Sequence, residues 1–481
     1  MPSDSSRIAW ALLGAVFVVG ASSATGQSTR TVPASLTNRR SSLSSEIDRL
    51  VGAAISAGAM PGASVAIMFG DGRMLSRSYG SVSVEHPKRV TNSTRFRIGS
   101  ISKLVTSLSI LRLVEERKLD LDAPASSLLP HWPEVARLPA SVTVRRLLNH
   151  TSGLPDFTRA ELEAKVARGF TTDDDLGSVL QRSLTSEPGA EWAYADLPYR
   201  ILSRVVERTS GRPYGDYVAQ TLAPALGLAS LRLCEPGAAS HASGYLSRNR
   251  VLQPEPAYFI RGLLGEGGLC ATADDLAKLP REVVRRRWIS DSSLATLTEP
   301  TRLSGGQLVD YGLGVRGGWV GPTRSWGHTG GGLDGSWAAV AYLPEHHLSI
   351  AVVANGTGGE SDAATLFGAI AAVVLASPPL DDRPVDAGLG MSVSGAYRRR
   401  DVTTCITRAP GGMTRARLGS SSTPTPLLHQ GSARFARRDY PLDRIVFERG
   451  HHPAIGYSVY YDGFFAEYWN RTKDDACRAA P

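Results

Sequence analysis

Ser100 and Lys103 are the residues whose types and spacing promise chemistry first. They stand in Phe96-Arg97-Ile98-Gly99-Ser100-Ile101-Ser102-Lys103, an S-x-x-K motif at the head of a long apolar run. Residues three apart share one face of a helix, so the Lys103 amine reaches the Ser100 hydroxyl from one turn along. A serine hydroxyl is a poor nucleophile until a base takes its proton. An amine can serve when burial pulls its pKa toward neutrality, and Leu104, Val105, Leu108 and Leu111 predict burial here. The positive end of the helix adds a favourable field at the nucleophile. Taken alone, S-x-x-K also fits a helix-capping serine beside a solvated lysine. The composition bears on the choice: the chain has 47 Arg and 6 Lys. A guanidinium cannot give up its proton in a protein, so a lysine at position 103 suits a group that must.

Five further segments follow in order. They are Leu147-Leu-Asn-His-Thr-Ser-Gly-Leu-Pro155, Tyr194-Ala-Asp-Leu-Pro-Tyr199 leading to Val205-Val-Glu-Arg-Thr-Ser-Gly211, Gly267-Gly-Leu-Cys-Ala-Thr-Ala-Asp-Asp-Leu276, Tyr311-Gly-Leu-Gly314 and Gly327-His-Thr-Gly-Gly331. With the first motif they resemble the serine β-lactamase and penicillin-recognising hydrolase superfamily, on its class C, DD-peptidase and esterase side, from about Ile47 to Ala376. The resemblance implies that Ser100 attacks a carbonyl and forms an acyl-enzyme. It implies that Lys103 and Tyr194 share the general-base work, Tyr194 as a phenol set among cations. It gives His328 the first place of the strand bordering substrate, followed by Thr329, Gly330 and Gly331. The Ser100 and Gly331 backbone N–H groups would form the oxyanion hole, and His150 would pack and steady a turn. No metal or organic cofactor is implied.

Two positions depart from that family. Tyr-x-Asn becomes Tyr194-Ala195-Asp196, and an ionised Asp only accepts hydrogen bonds where an Asn amide also donates. Asp196 therefore disfavours the amide recognition typical of penicillins, and its charge opposes a neutral Lys103. His328 stands where β-lactamases mostly carry Lys, and neutral imidazole holds a substrate carboxylate less well. We expect Asp196 to lie near His328 and raise its pKa, the pair acting as a unit. Both departures favour an esterase or a peptidase of small or D-configured substrates over a true β-lactamase or DD-carboxypeptidase. A relative that binds without turnover is the alternative from another class. Rival chemistries lack their motifs, since there is no G-x-S-x-G and no H-E-x-x-H. His346-His347 and His451-His452 read as solvated turn residues.

The elements that must carry these residues follow from periodicity. Ser45 to Ala57 is predicted helical, and Ala63–Phe69 with Met74–Tyr79 forms a hairpin over Gly70-Asp71-Gly72. Helices follow at Ile101–Lys118, Val144–Asn149 and Leu197–Thr209. A second hairpin, Trp337–Leu343 with Leu348–Ala354, precedes a helix at Asp362–Ala376. This is an α+β plan: an antiparallel sheet flanked by helices plus an all-helical lobe. After a proline-rich linker at 377–384, short alternating runs predict a small C-terminal all-β domain. The expected organisation is a signal peptide at 1–26, a hydrolase domain at 44–378 and a β-rich accessory domain at 387–481.

Arg7, the apolar stretch from Ile8 to Val19 and the small residues from Ala21 onward read as a secretory leader. The location implied is secreted or periplasmic, with no membrane span after cleavage. Four cysteines then allow three pairings, of which proximity and the domain division favour Cys234–Cys270 with Cys405–Cys477. The +8 charge is spread thinly. The short triplets Arg285–Arg287 and Arg398–Arg400 do not make a nucleic-acid surface. The partner expected is a small molecule or short peptide as substrate.

Overall fold

The protein is described by a computed structural model covering residues 40–477, apart from 159, 162–163, 165–175, 236–240, 249–250, 255–262, 287, 321–322, 332–334, 358–362, 377–382, 400–401, 410–411, 419–423, 431–432, 438–443, 449–453, 455, 462–463 and 473–476. The expected leader and the His451-His452 pair lie outside the described residues.

The described residues open with the helix α1 (Arg40–Ser56) and the hairpin of β1 (Gly62–Met68) and β2 (Met74–Gly80). The central helix α2 (Ser102–Glu115) follows a short 3-10 turn at Gly99–Ile101. Apolar residues ring α2 rather than striping it, and all its residues from Ser102 to Leu111 are buried. Such a helix belongs in the middle of a core. Packed against it is α3 (Leu197–Ser210), which ends at Gly211 in the left-handed conformation, as a helix terminus favours. The helix α4 (Ala273–Arg286) lies over β1 and the central strands.

Four more strands complete the catalytic sheet: β3 (Arg316–Val320), β4 (Thr323–Gly331), β5 (Trp337–Leu343) and β6 (Leu348–Ala354). All neighbours are antiparallel, in the order β3-β4-β5-β6-β1-β2. Strands β1 and β6 are buried at every position. This is because α1 and α5 (Ala363–Leu375) cover one face and α4 with the helical lobe covers the other. A face-covered sheet explains why these strands read as continuous apolar runs. The α+β plan holds.

The C-terminal segment builds β7 (Gly395–Arg399), β8 (Val402–Ala409), β9 (Gly412–Arg417), β10 (Thr425–His429), β11 (Arg434–Arg437), β12 (Arg444–Phe447), β13 (Gly456–Tyr461) and β14 (Phe464–Arg471). Each pairs antiparallel with the next, and β14 returns to β7 through Tyr397↔Arg471 and Arg398↔Asn470, closing a barrel. Closure removes free strand edges, and Tyr397, Phe435, Phe447, Tyr457 and Trp469 fill the interior. The barrel is also joined to the catalytic sheet, because β14 pairs with β3 at Gly318↔Phe464. One sheet thus runs from the barrel through to β2.

Both expected disulfides are present, Cys234–Cys270 and Cys405–Cys477. Cys270 sits in the strand Leu269–Ala271, which pairs with Phe96–Arg97 immediately before Ser100. Among the described residues no helix is long and apolar enough to cross a membrane.

Candidate active site

Ser100 lies in the 3-10 turn ahead of α2, half-buried, and caps no helix. Its hydroxyl oxygen instead accepts from Lys103 Nζ at 3.0 Å. Lys103 is fully buried, as its apolar neighbours predict. Its other two protons go to Asp196 Oδ1 at 2.5 Å and to the Glu266 carbonyl at 2.8 Å. Three donors meet three acceptors, the full complement of an ammonium. Burial pulls the Lys103 pKa down, but the Asp196 charge and Tyr194 outweigh it, and the net position is above the ordinary lysine value. The expectation that Asp196 opposes a neutral lysine is met by this geometry.

Asp196 owes its place to α3. It occupies the N-cap position, where an Asp usually bonds its own helix, yet its carboxylate makes no capping bond and turns to Lys103 instead. Its backbone N–H donates to Asp156 Oδ2 at 2.5 Å. Burial and then the neighbouring Asp196 charge push the Asp156 carboxyl up to about 6. A raised carboxyl favours the fold while protonated, and that contribution is lost as pH climbs from about 4 through about 6. In Asp156→Asn this loss disappears. Denaturation of both proteins from about pH 4 to pH 7 should show their stability difference moving in the variant's favour by about 1–2 kcal/mol. A difference flat across that window would contradict the pairing of the two carboxyls.

Tyr194 stands beside this cluster. Its ring centroid lies 4.9 Å from Lys103 Nζ, and its hydroxyl is buried without a geometric hydrogen-bond partner among the described residues. The loop that carries it is held by His150. The His150 carbonyl accepts from Ala193 N–H, and Nδ1 accepts from Ala195 N–H at 3.3 Å. The His150 and Tyr194 rings are 4.4 Å apart between centroids. His150 keeps a backbone φ of +59°, uncommon outside glycine, so its turn is built for this clamp.

His328 does not meet Asp196. The expected Asp196–His328 unit is therefore corrected: the carboxylate is engaged by Lys103, and the fully buried His328 is held against Tyr311 instead. There His328 Nε2 is 3.2 Å from the Tyr311 hydroxyl, which is 3.1 Å from His150 Nε2. His328 Nδ1 faces the Thr329 carbonyl at 2.5 Å. One proton arrangement satisfies the whole row. Ala195 N–H donates to His150, His150 Nε2–H to Tyr311, Tyr311 O–H to His328, and His328 Nδ1–H to Thr329. Both imidazoles are then neutral. Burial drives both well below the usual histidine value, reinforced by the Lys103 and Arg316 charges.

The end of β4 closes the site by backbone contact. A Cβ on Gly330 would lie 1.9 Å from the Ile98 carbonyl and 2.8 Å from Ser100 N. One on Gly99, whose φ is +49°, would lie 2.6 Å from Gly331 N. Only glycine allows the two backbones to come so close. This brings the Gly330–Gly331 peptide against the Ser100 N–H, while Thr329 is partly exposed alongside.

Three contributors escaped the motif reading: Glu266, whose carbonyl holds Lys103 and whose carboxylate pairs with buried Arg200 at 3.0 Å; Asp156; and Arg316. Each lies one or two residues outside a recognised motif, where residue type carried no signal because its partner comes from a different segment. His346 and His347 lie at the turn before β6, as expected. Among the described residues no cluster of three or more metal-ligating side chains occurs.

Known proteins resemble this chain in sequence and fold. The family model described as "Beta-lactamase" matches residues 47–375. A penicillin-binding protein of Bacillus subtilis is 27% identical over 300 residues, covering 58% of this chain and 64% of its own length. The chain thus spans under two thirds of that relative. A D-aminopeptidase of Brucella canis is 27% identical over 364 residues, covering 75% of this chain and 68% of its own. The octameric penicillin-binding protein homologue from Pyrococcus abyssi superimposes with a TM-score of 0.59 at 21% identity, over 88% of this chain and 99% of that one. With its match over more than half its length, the chain belongs to the beta-lactamase family.

Proposed function

We propose that the protein is an exported serine hydrolase that cleaves amide or ester bonds of small D-configured amino-acid or peptide substrates through an acyl-enzyme on Ser100. The observation that carries this reading is the Ser100 oxygen accepting a hydrogen bond from a lysine that is wholly buried and triply coordinated. A buried cation in such a position is costly unless it serves a charge. The D-aminopeptidase relative suggests the substrate class.

In the reaction the Ser100 oxygen attacks the substrate carbonyl carbon while its proton passes to the Tyr194 phenolate. Lys103 remains an ammonium, donating to the serine oxygen and supplying positive charge through the step. The carbonyl oxygen, now negative, is met by the Ser100 and Gly331 N–H groups. Tyr194 returns the proton to the leaving amine or alcohol as the carbon–heteroatom bond breaks. Water then attacks the acyl-enzyme by the same proton route and frees the acid. Asp196 offers an acceptor at the mouth, its side chain 54% exposed, which suits substrates bearing N–H donors. Neutral His328, by contrast, offers no cation to a penicillin carboxylate. Thr329, Gly330 and Gly331 form the strand along which substrate lies. The paired cysteines and the N-terminal leader favour an oxidising, extracytoplasmic location.

The test is hydrolysis of D- and L-amino-acid amides, p-nitrophenyl esters and nitrocefin by wild type and Ser100→Ala, with intact-mass detection of a fluorophosphonate adduct. Wild type should gain one adduct at Ser100 and turn over D-amides or esters faster than nitrocefin. The Ser100→Ala protein should do neither. Turnover retained by Ser100→Ala, or no adduct on wild type, would refute the reading.

A further inference from the structure

Arg316, the first residue of β3, carries a charge that the steps above leave unused. It pairs across the sheet with Gly327, next to His328. Its guanidinium carbon lies 4.8 Å from the Tyr194 ring centroid and 5.9 Å from that of Tyr311. Nη1 donates to the Phe465 carbonyl at 2.5 Å, on the barrel strand β14. Nε is buried with no hydrogen-bond partner among the described residues. No carboxylate pairs with Arg316 among the described residues. A guanidinium stays protonated, and a half-buried cation with neither counter-ion nor full hydrogen bonding at its buried Nε is costly.

The groups facing Tyr194 from every side say which anion is missing. From α2 comes Lys103, whose charge Asp196 already balances. From the loop beneath and from β4 come His150 and His328, both neutral in the hydrogen-bonded row. From α3 and the segment before β3 come the buried phenols Tyr199 and Tyr311. The positive charge left without a partner is that of Arg316, and it stands over the face of the proposed base.

We infer that Arg316 is a positioning residue that acts through Tyr194. Held by the Phe465 carbonyl of the barrel, it supplies the counter-charge of the Tyr194 phenolate during transfer of the serine proton. This rests on the assignment of Tyr194 as base. It also gives the C-terminal barrel a part in the chemistry. Trp192 packs on Phe465 with centroids 5.1 Å apart, so the same barrel residue holds both the loop bearing Tyr194 and the cation above it.

The experiment compares Arg316→Gln, Arg316→Lys and the double variant Arg316→Gln/His328→Lys, each checked for wild-type melting. The readouts are the pH profile of kcat/KM and the rate of Ser100 phosphonylation. Arg316→Gln should lose about a hundredfold in kcat/KM near neutrality, the effect of one charge at this range in a half-wet site. Its acid limb should move to higher pH, so that much of the loss is recovered in alkali. Arg316→Lys, and the double variant with its cation on the adjoining strand, should each regain at least about tenfold. A loss of the same size at every pH would overturn the inference. So would a rise in KM confined to carboxylate-bearing substrates, which would make Arg316 a substrate site. Should Arg316→Gln fail to fold, the other two variants decide: acid limbs close to that of wild type support the inference, and activity lost without regard to pH defeats it. Failure of wild type to label at Ser100 would instead refute the acyl-enzyme reading itself.

Discussion

Tyr194→Phe is expected to lower kcat/KM about a thousandfold, within the range that removal of a general base produces, and to leave the melting temperature unchanged or slightly raised. The two halves of this expectation come from one observation. The Tyr194 oxygen is buried without a geometric hydrogen-bond partner among the described residues, so its deletion breaks no such bond. The ring that remains keeps its contacts with His150, Trp192 and Tyr311. Steady-state kinetics with the best substrate from the screen, beside thermal denaturation, separate catalysis from folding. A loss below about tenfold would remove Tyr194 from the proton route. A thousandfold loss with normal phosphonylation of Ser100 would shift its role to deacylation.

Lys103 and Asp196 form an ion pair whose two members should respond oppositely when substituted. Lys103→Met is expected to cost about a thousandfold in kcat/KM, yet to hold or raise stability. Methionine fills the same buried channel without a charge to desolvate. The half-exposed Asp196 and the half-buried Ser100 hydroxyl left behind are rehydrated, and the Glu266 carbonyl loses a partner. Asp196→Asn should reverse the stability effect, since it strips the counter-charge from an ammonium with no access to water. About 2 kcal/mol is expected, below the usual range for a fully buried pair because one member faces solvent. The sign with pH follows. Asp196 holds the lysine above its ordinary value, so the pair's contribution persists throughout the neutral range and is lost only in strong alkali. In the Asn variant the counter-charge no longer offsets burial, so the lysine sheds its proton more easily in the folded state than in the unfolded one, and destabilisation should be greatest at low pH and shrink as pH rises toward the lysine range. Chemical denaturation of both variants at pH 6 and pH 9 tests this. Parallel destabilisation of the two would contradict the geometry.

How far these groups were legible depended on how local their relations are. Ser100 and Lys103 are one helical turn apart, so identity and spacing alone put them together. The burial of Lys103 followed from Leu104, Val105, Leu108 and Leu111 around it. Asp196 was recognisable as a departure, but its partner was misassigned. Motif order sets Asp196 and His328 on facing segments, whereas the start of α3 aims the carboxylate at Lys103 and the pleat of β4 turns His328 inward to Tyr311. Arg316 was invisible because its meaning depends on the pairing of β3 with β4, and its own stretch, Gly314-Val-Arg-Gly-Gly318, has no strong strand pattern. The alternating runs of the C-terminal segment were readable as strands. Their closure was not, since β7 and β14 meet across more than sixty residues of sequence. The strands Thr425–His429 and Arg434–Arg437, short and flanked by turn residues, went unseen for the same lack of local signal.

The bridge between Gly318 and Phe464 bears on how such chains diversify. A tail fused to an enzyme through a flexible tether can be exchanged freely. Here the tail lends a carbonyl to Arg316 and an aromatic edge to Trp192. Recombination at the proline-rich junction would therefore hand the catalytic half a foreign wall, and drift in the tail is constrained by the reaction it borders.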